Sequence, residues 1–364
     1  MYSPSDVSEM RKIEQGKDYT VYQAFGKDNE ILGKMMASPE ANYLFDYRTG
    51  EMMTWGRTMD MDAVKFPGPN ILDMEVTTIC KHGCPFCYKS NTKNGINMTL
   101  DTFKKIVDAF PKTLTQIALG ADYDLTSNPD IWDMMAYARE QNIVPNITLG
   151  YCDDETADKL VKYCGACAVS RYESADKCYD SIKRLTDRGL KQTNMHFMIA
   201  EETYDLAMKT LEDITSDPRL AKLNAIVFLS LKQKGRGTGY HVLAQEKFKA
   251  LTDYAHKHNI GIGFDSCSSL KAIRALGESI KPCVMDCESS LESSYVNVKG
   301  EYFPCSFCEG SLWKTGLNVL ECQNSQEFIE KIWNHKETEK FRAMLLNTAQ
   351  GNEHNCRECP VFTI

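Results

Sequence analysis

The chain has no apolar run approaching the roughly 20 residues of a membrane span. Its opening, "MYSPSDVSEMRKIEQG", lacks the apolar centre of a secretory signal. The expected location is cytoplasmic, with no membrane partner. Basic charge is also short: 42 Lys and Arg stand against 50 Asp and Glu, a net charge of −8. That balance argues against wrapping nucleic acid, because affinity for phosphate backbones rises with the number of cations that displace counterions. Histidine is scarce, seven residues in 364, and apart from the lone His82 none has a paired ligand spacing near the cysteines. No repeat, low-complexity tract or long linker interrupts the chain. At 43% hydrophobic and 25% charged residues, the composition is ordinary for a soluble globular protein of one large domain or two.

Cysteine is what the chain has in excess, with fifteen residues. A reducing cytosol does not support a disulfide framework, and a chain this long does not need one. Some thiols serve as small buried hydrophobes. Clusters with short, regular gaps point instead to metal ligands or catalytic groups.

From about residue 71, short apolar runs alternate with longer amphipathic ones. "ILDMEVT", "QIALGA", "VPNITLG", "ACAVSRY", "QTNMHFMIA", "NAIVFLSL" and "GIGFDS" read as strands. Between them, "TLDTFKKIVDAF", "PDIWDMMAYAREQ", "DETADKLVKYC", "CYDSIKRLTDRG", "YDLAMKTLEDI" and "EKFKALTDYAHKH" carry apolar residues at helical spacing. Thr99 stands where an N-cap belongs, and Pro129 suits a first helical turn. Strand then helix, repeated about six times, predicts parallel βα units with right-handed crossovers. A closed or partial α/β barrel follows, with its chemistry at the C-terminal strand ends. Residues 1–70 contain "YTVYQAF" and "NYLFDYRTGEMMTW", the latter a strand, a turn at Thr49-Gly50 and a return strand. They predict a small hairpin-bearing extension. Residues 266–364 carry eight of the fifteen cysteines and end in one predicted helix, "SQEFIEKIWNHKETEKFRAML".

The first strand of the βα rhythm runs into "TTICKHGCPFCYKS", which places Cys80, Cys84 and Cys87 within eight positions. A structural zinc site wants a fourth protein ligand, and a [4Fe–4S] cluster normally has four cysteines. Three thiolates around one cluster leave an iron open to another ligand. The plainer alternative is a zinc loop or three unrelated cysteines.

Cys-x3-Cys-x-aromatic-Cys, here with Phe86 before the last thiol, resembles the radical S-adenosylmethionine (SAM) superfamily. The resemblance implies a partial (β/α)6 barrel and a [4Fe–4S] cluster on Cys80, Cys84 and Cys87. It implies SAM on the open iron, cleaved reductively to a 5′-deoxyadenosyl radical that abstracts a substrate hydrogen. An electron donor such as flavodoxin or ferredoxin is implied with it. "ALGAD" (Gly120, Ala121, Asp122) stands where the family has a Gly-Gly-Glu segment that holds the SAM amino group. Asp122 is one methylene shorter than that Glu, and Asp124 lies near enough in sequence to compensate; a strand-end acid capping the next helix is the ordinary alternative. Thr148, Ser170 and Arg171 resemble family positions that hold the SAM ribose or carboxylate. An arginine fork suits a carboxylate, although a surface salt bridge is its commoner use. Leu229 and Leu231 would flank the adenine or serve only as core. Lys232, Lys234 and Arg236 in "LKQKGRG" read by default as a solvated cluster, and otherwise as a match for an acidic substrate.

A second set begins with "CESSLESSYVNVKGEYFPC", in which a hairpin about Gly300 brings Cys287 and Cys305 together. Cys356-x2-Cys359 follows the last helix. Four such thiolates can close a fully ligated cluster or bind zinc. The stretch resembles the auxiliary-cluster domains called SPASM and its shorter form, twitch. This implies one auxiliary [4Fe–4S] cluster on Cys287, Cys305, Cys356 and Cys359, with Cys283 and Cys308 as flanking substitutes. Cys164 and Cys167 read as buried packing, and Cys152, Cys178, Cys267 and Cys322 as core or unassigned. The whole is an expected enzyme with an extension (1–70), a barrel (71–265) and an auxiliary-cluster domain (266–364). Its expected substrate is a peptide or protein, crosslinked or oxidised, although residues 1–70 lack a winged-helix pattern for leader recognition. The alternatives are radical dehydrogenation or rearrangement of a small molecule or nucleotide, and a non-catalytic iron–sulfur or zinc protein.

Overall fold

The computed structural model describes residues 1–172, 174–311, 313 and 315–364. Its N-terminal part is an antiparallel meander of five strands: β1 (Glu9–Gln15), β2 (Thr20–Phe25), β3 (Ile31–Ala37), β4 (Asn42–Asp46) and β5 (Met52–Trp55). The sequence predicts less, a hairpin over the last two. β1 is exposed along all but one residue, so it shows no alternation to read. β3 is interrupted by Gly33 and by Lys34, a lysine 1% exposed whose Nζ donates to the Leu114 carbonyl at 2.6 Å. Tyr43 donates to the Thr113 carbonyl at 2.6 Å and Tyr47 to that of Asn142 at 2.7 Å. These bonds seat the meander on the loops below the larger sheet.

That larger sheet has nine strands. Seven run parallel in chain order: β6 (Ile71–Glu75), β7 (Gln116–Gly120), β8 (Val144–Leu149), β9 (Ala166–Ser170), β10 (Gln192–Ile199), β11 (Ala225–Ser230) and β12 (Ile262–Phe264). The crossovers are α1 (Leu100–Ala109), α2 (Ile131–Glu140), α3 (Asp154–Tyr163), α4 (Ala175–Asp187), α5 (Tyr204–Ser216) and α6 (Gln245–Lys257). Thr99, Asp153 and Ser174 cap α1, α3 and α4, each side chain accepting from the backbone N–H three residues on. Pro129 lies one residue before the N-cap of α2, Asp130, outside the first turn. The apolar faces of the helices bury Phe103, Ile106, Leu160, Ile182, Leu211 and Phe248 against the outer face of the sheet. Each fully buried side chain of this size contributes about 1.5–3 kcal/mol.

The barrel does not close. β12 ends one edge, and beyond β6 the sheet continues into β13 (Ser293–Val296), parallel to β6, and antiparallel β14 (Tyr302–Phe303). The β13–β14 hairpin turns at Gly300, φ +80°, where a Cβ would stand 2.7 Å from Leu320 Cγ. Before it, α7 (Ser269–Leu276) follows β12. After it, the predicted single C-terminal helix is two pieces. α8 (Ser325–Phe328) runs into a π-turn over Ile329–Trp333, and α9 (Lys336–Thr348) restarts after Asn334 with His335 as its cap. Burial of Trp333 accompanies the break: its indole N–H donates to the Phe66 carbonyl at 3.0 Å, and Arg342 stacks on its ring at 4.3 Å. No helix among the described residues is long and apolar enough to cross a membrane.

Candidate active site

The cysteine loop hangs from the C-terminal end of β6 and returns to α1 through bridges pairing Thr77 with Asn97 and Ile79 with Thr92. Cys80 N–H donates to the Thr92 carbonyl at 2.8 Å, and Cys87 N–H to that of Cys84 at 3.3 Å. The outer turn is held from across the barrel. Arg236 donates from its backbone N–H to the Cys87 carbonyl at 3.0 Å and from Nε to that of Cys84 at 2.7 Å. Its Nη1 reaches the Asn91 carbonyl at 3.2 Å. Lys234 donates to the carbonyls of Ser306, Phe307 and Glu309, in the loop after β14. Lys232 is buried in an ion pair with Asp265. The basic segment expected to be solvated is therefore a strap between the two cysteine-bearing loops.

Cys80, Cys84 and Cys87 open on a cavity of about 620 Å³ at the C-terminal ends of β6 to β11, and Phe86 lines it with them. Burial pushes the Cys84 thiol up to about 11, against a hydrogen bond from Tyr172, with Cys87 and Cys80 adding to the rise. A ligand that needs the thiolate must displace that proton. Among the described residues, no three His, Cys, Asp or Glu side chains close on a point as a single-ion site requires. An aromatic wall stands over the loop. His82 stacks on Tyr123 with ring centroids 3.9 Å apart, and Phe86 on Tyr172 at 5.8 Å.

The other residues singled out for the cofactor line this same cavity: Gly120, Ala121 and Asp122 at the end of β7, Thr148 on β8, Ser170 and Arg171 at the end of β9, Leu229 and Leu231 around the end of β11. Asp122 caps no helix. Its Oδ2 accepts from Ser127 N–H at 3.2 Å and Ser127 Oγ at 2.7 Å, while Oδ1 is buried with no hydrogen-bond partner among the described residues. Burial holds this carboxyl above its usual range, offset by Ser127 and reinforced by Asp124 alongside. Asp124 itself does not line the cavity and accepts from Thr126 Oγ1 at 2.7 Å. Arg171 is buried rather than a surface ion pair; its guanidinium lies over the Tyr179 ring, and its Nε has no partner. Thr148 Oγ1 lies 3.3 Å from His196 Nδ1. A carboxylate oxygen and a guanidinium N–H, both buried and both open, fit the ammonium and carboxylate ends of an amino-acid moiety.

The sequence reading missed the floor of this cavity. Asp73 and Glu75 alternate on β6, so both face the barrel interior. Glu75 pairs with Lys89 at 3.0 Å, and Lys89 also bonds the Tyr295 hydroxyl at 2.5 Å and pairs with Glu309. Burial raises Asp73 to about 7, with Glu288 adding to it, and lowers His196 to about 4 against the pull of Asp265. The available signal was the pair of acids on the inward face of an otherwise apolar strand.

A second cavity of about 770 Å³ adjoins the first and shares Asp73, His196, Lys232, Asp265 and Phe307 as its wall. Cys267, Cys283, Cys287, Cys305 and Cys359 line it. Cys308 lies with its sulfur 3.6 Å from that of Cys305. Cys356 is buried outside the cavity, its thiol donating to its own His354 carbonyl at 3.6 Å. Cys164 and Cys167 are buried, as are Cys152, Cys178 and Cys322.

Residues 287–360 match the SPASM family, an iron–sulfur cluster-binding domain. No curated protein matches the chain. Among solved structures, SuiB of Streptococcus suis bound to S-adenosylmethionine shares the fold, with a TM-score of 0.61 at 14% identity. That match covers 80% of this chain and 72% of SuiB. SuiB bound to its precursor peptide SuiA matches equally, with a TM-score of 0.61 at 14% identity over 77% of this chain and 68% of that one. At this identity the likeness is one of fold.

Proposed function

We propose that the chain is a radical SAM enzyme that modifies a peptide or protein. In this reading Cys80, Cys84 and Cys87 hold a [4Fe–4S] cluster whose remaining iron binds SAM, and an auxiliary cluster occupies the second cavity. The observation that carries it is three thiols sharing one cavity with the partnerless oxygen of Asp122 at the C-terminal ends of an open parallel sheet. When bound, the cluster and SAM supply one electron, a split sulfonium bond and the 5′-deoxyadenosyl radical that takes hydrogen from the substrate.

The protein's own part is to bind, orient and exclude water. Asp122 accepts from the SAM ammonium and Arg171 donates to its carboxylate. Ser170 and Thr148 offer hydroxyls to the ribose, and Leu229 and Leu231 an apolar seat for the adenine. Phe86, Tyr123 and Tyr172 give the cavity aromatic walls, which keep water from a radical and limit its side reactions. A one-electron donor such as flavodoxin or ferredoxin belongs to the proposal. A peptide substrate is supported by the shared fold with SuiB, a protein seen bound to its precursor peptide.

The test is anaerobic. Reconstituted with iron and sulfide, reduced with dithionite and given SAM, the protein is expected to release 5′-deoxyadenosine. Cys84→Ala should abolish the product while the C-terminal cluster remains detectable. Iron bound in the N-terminal site without any product would leave a binding protein instead of an enzyme. Mass spectrometry of candidate peptides, searched for hydrogen loss or a new crosslink, separates a peptide substrate from a small molecule.

A further inference from the structure

The second cavity draws its thiols from an unexpected element. Cys287 and Cys305 come from the two ends of the β13–β14 hairpin, and Cys359 from the tail. Cys267 comes from the barrel itself, in the turn Ser266–Ser268 that follows β12. We infer that Cys267 is a ligand of the auxiliary cluster, completing a set with Cys287, Cys305 and Cys359, and that Cys356 is not a ligand. The inference rests on the iron–sulfur part of the proposed function.

Placement separates these four from the other thiols. Cys267, Cys287, Cys305 and Cys359 all line one cavity, and Cys267 lies within electrostatic reach of both Cys287 and Cys305, as Cys359 does of Cys305. The Lys232 ammonium stands beside the Cys267 sulfur, a counter-charge for a thiolate. Phe362 N–H donates to Cys359 Sγ at 3.3 Å, the kind of amide–sulfur bond that tunes ligated sulfur. Cys356 faces elsewhere, packed against Leu270, Ile273 and Ile280 with its thiol tied to its own loop. Cys308 packs with Cys287 and Cys305, its sulfur 3.6 Å from that of Cys305, but is fully buried behind the cavity and does not line it, and Cys283 is exposed at the rim. Four thiols from three separate elements suit a cluster, whose four iron corners spread its ligands apart.

The experiment uses the full chain carrying Cys80→Ala, Cys84→Ala and Cys87→Ala, so that only the auxiliary cluster remains. This parent, loaded with ferrous iron and sulfide without oxygen, should bind about four irons. Cys267→Ser should either drop the iron to about one per chain or below, or keep it with altered g-values in the EPR spectrum, since serine oxygen is a different ligand. Cys356→Ser should keep the parent's iron and the parent's spectrum. Unchanged iron and g-values in Cys267→Ser would overturn the assignment. So would loss of iron in Cys356→Ser, which decides the matter alone if Cys267→Ser does not fold. A parent that takes up no iron would instead remove the proposed auxiliary cluster, and this inference with it.

Discussion

Asp122 concentrates the electrostatics at its end of the cavity, because one of its oxygens is committed to Ser127 and the other is open. A charge-assisted hydrogen bond there is worth about 1.5–3 kcal/mol. Asp122→Asn keeps the shape and loses the charge, so SAM should bind about tenfold to a hundredfold more weakly. Equilibrium dialysis of SAM against the reconstituted protein measures this, and an unchanged affinity would remove Asp122 from the site. Lys34 makes a different residue-scale prediction. Burial lowers its ammonium to about 7, so above that pH the folded state holds a neutral amine. The unfolded chain still binds the proton up to the ordinary lysine value of about 10.4. The folded pKa is the lower one, so stability is lost as pH falls from that value toward 7 and is level below it. Lys34→Met removes this titration. The variant should be more stable than the parent at pH 7, by on the order of 2 kcal/mol after the lost bond to Leu114. Urea midpoints between pH 7 and 10 should slope upward in the parent and lie flatter in the variant; equal slopes would mean that water reaches the amine.

At the scale of elements, the strap after β11 depends on one glycine. Gly235 has φ +57°, and a Cβ there would stand 2.5 Å from the Tyr88 carbonyl and 2.7 Å from that of Cys87. Gly235→Ala should cost about 1–3 kcal/mol of local strain and push the cysteine loop outward. The expected readout is faster loss of iron from the N-terminal site to a chelator, with the auxiliary site unaffected; equal rates would mean that the strap does not hold the loop. None of this was legible in "LKQKGRG", where three cations look solvated until their partners are in view: the Asp265 carboxylate for Lys232, and backbone carbonyls more than 70 residues away for Lys234 and more than 140 for Arg236. The seven parallel strands were legible because their apolar runs are short and bounded by amphipathic helices. β1 was not, since an exposed edge strand has no apolar face, and the break at Trp333 follows from contacts with Phe66 far back in the chain. The three-thiol loop was readable from spacing after a strand, and the residues that line the cavity with it were reached through a family resemblance. Cys267 was not readable, because only the fold sets the end of β12 beside a hairpin that begins 29 residues later.

For the whole molecule, the open barrel is the decisive trait. β12 and β6 do not pair, and the edge beyond β6 is taken by the hairpin that carries Cys287 and Cys305 at its ends. The two cavities consequently share a wall instead of lying in separate bodies. Loading the auxiliary site should therefore protect three distant stretches at once, residues 262–268, 287–308 and 356–362. Amide hydrogen exchange with and without iron measures this. Protection confined to the hairpin and tail would indicate that the barrel's last strand takes no part.

The Lys232–Arg236 segment also works as a ruler. Lys234 grips one cysteine-bearing loop and Arg236 the other, and only Gly235 separates them. Gly235, at φ +57°, opens the 3-10 turn Gly235–Gly239, so the offset between the two loops is gauged by one bent length of backbone with no slack in it. One residue inserted between Lys234 and Arg236 would shift that gauge and leave every thiol in the protein intact.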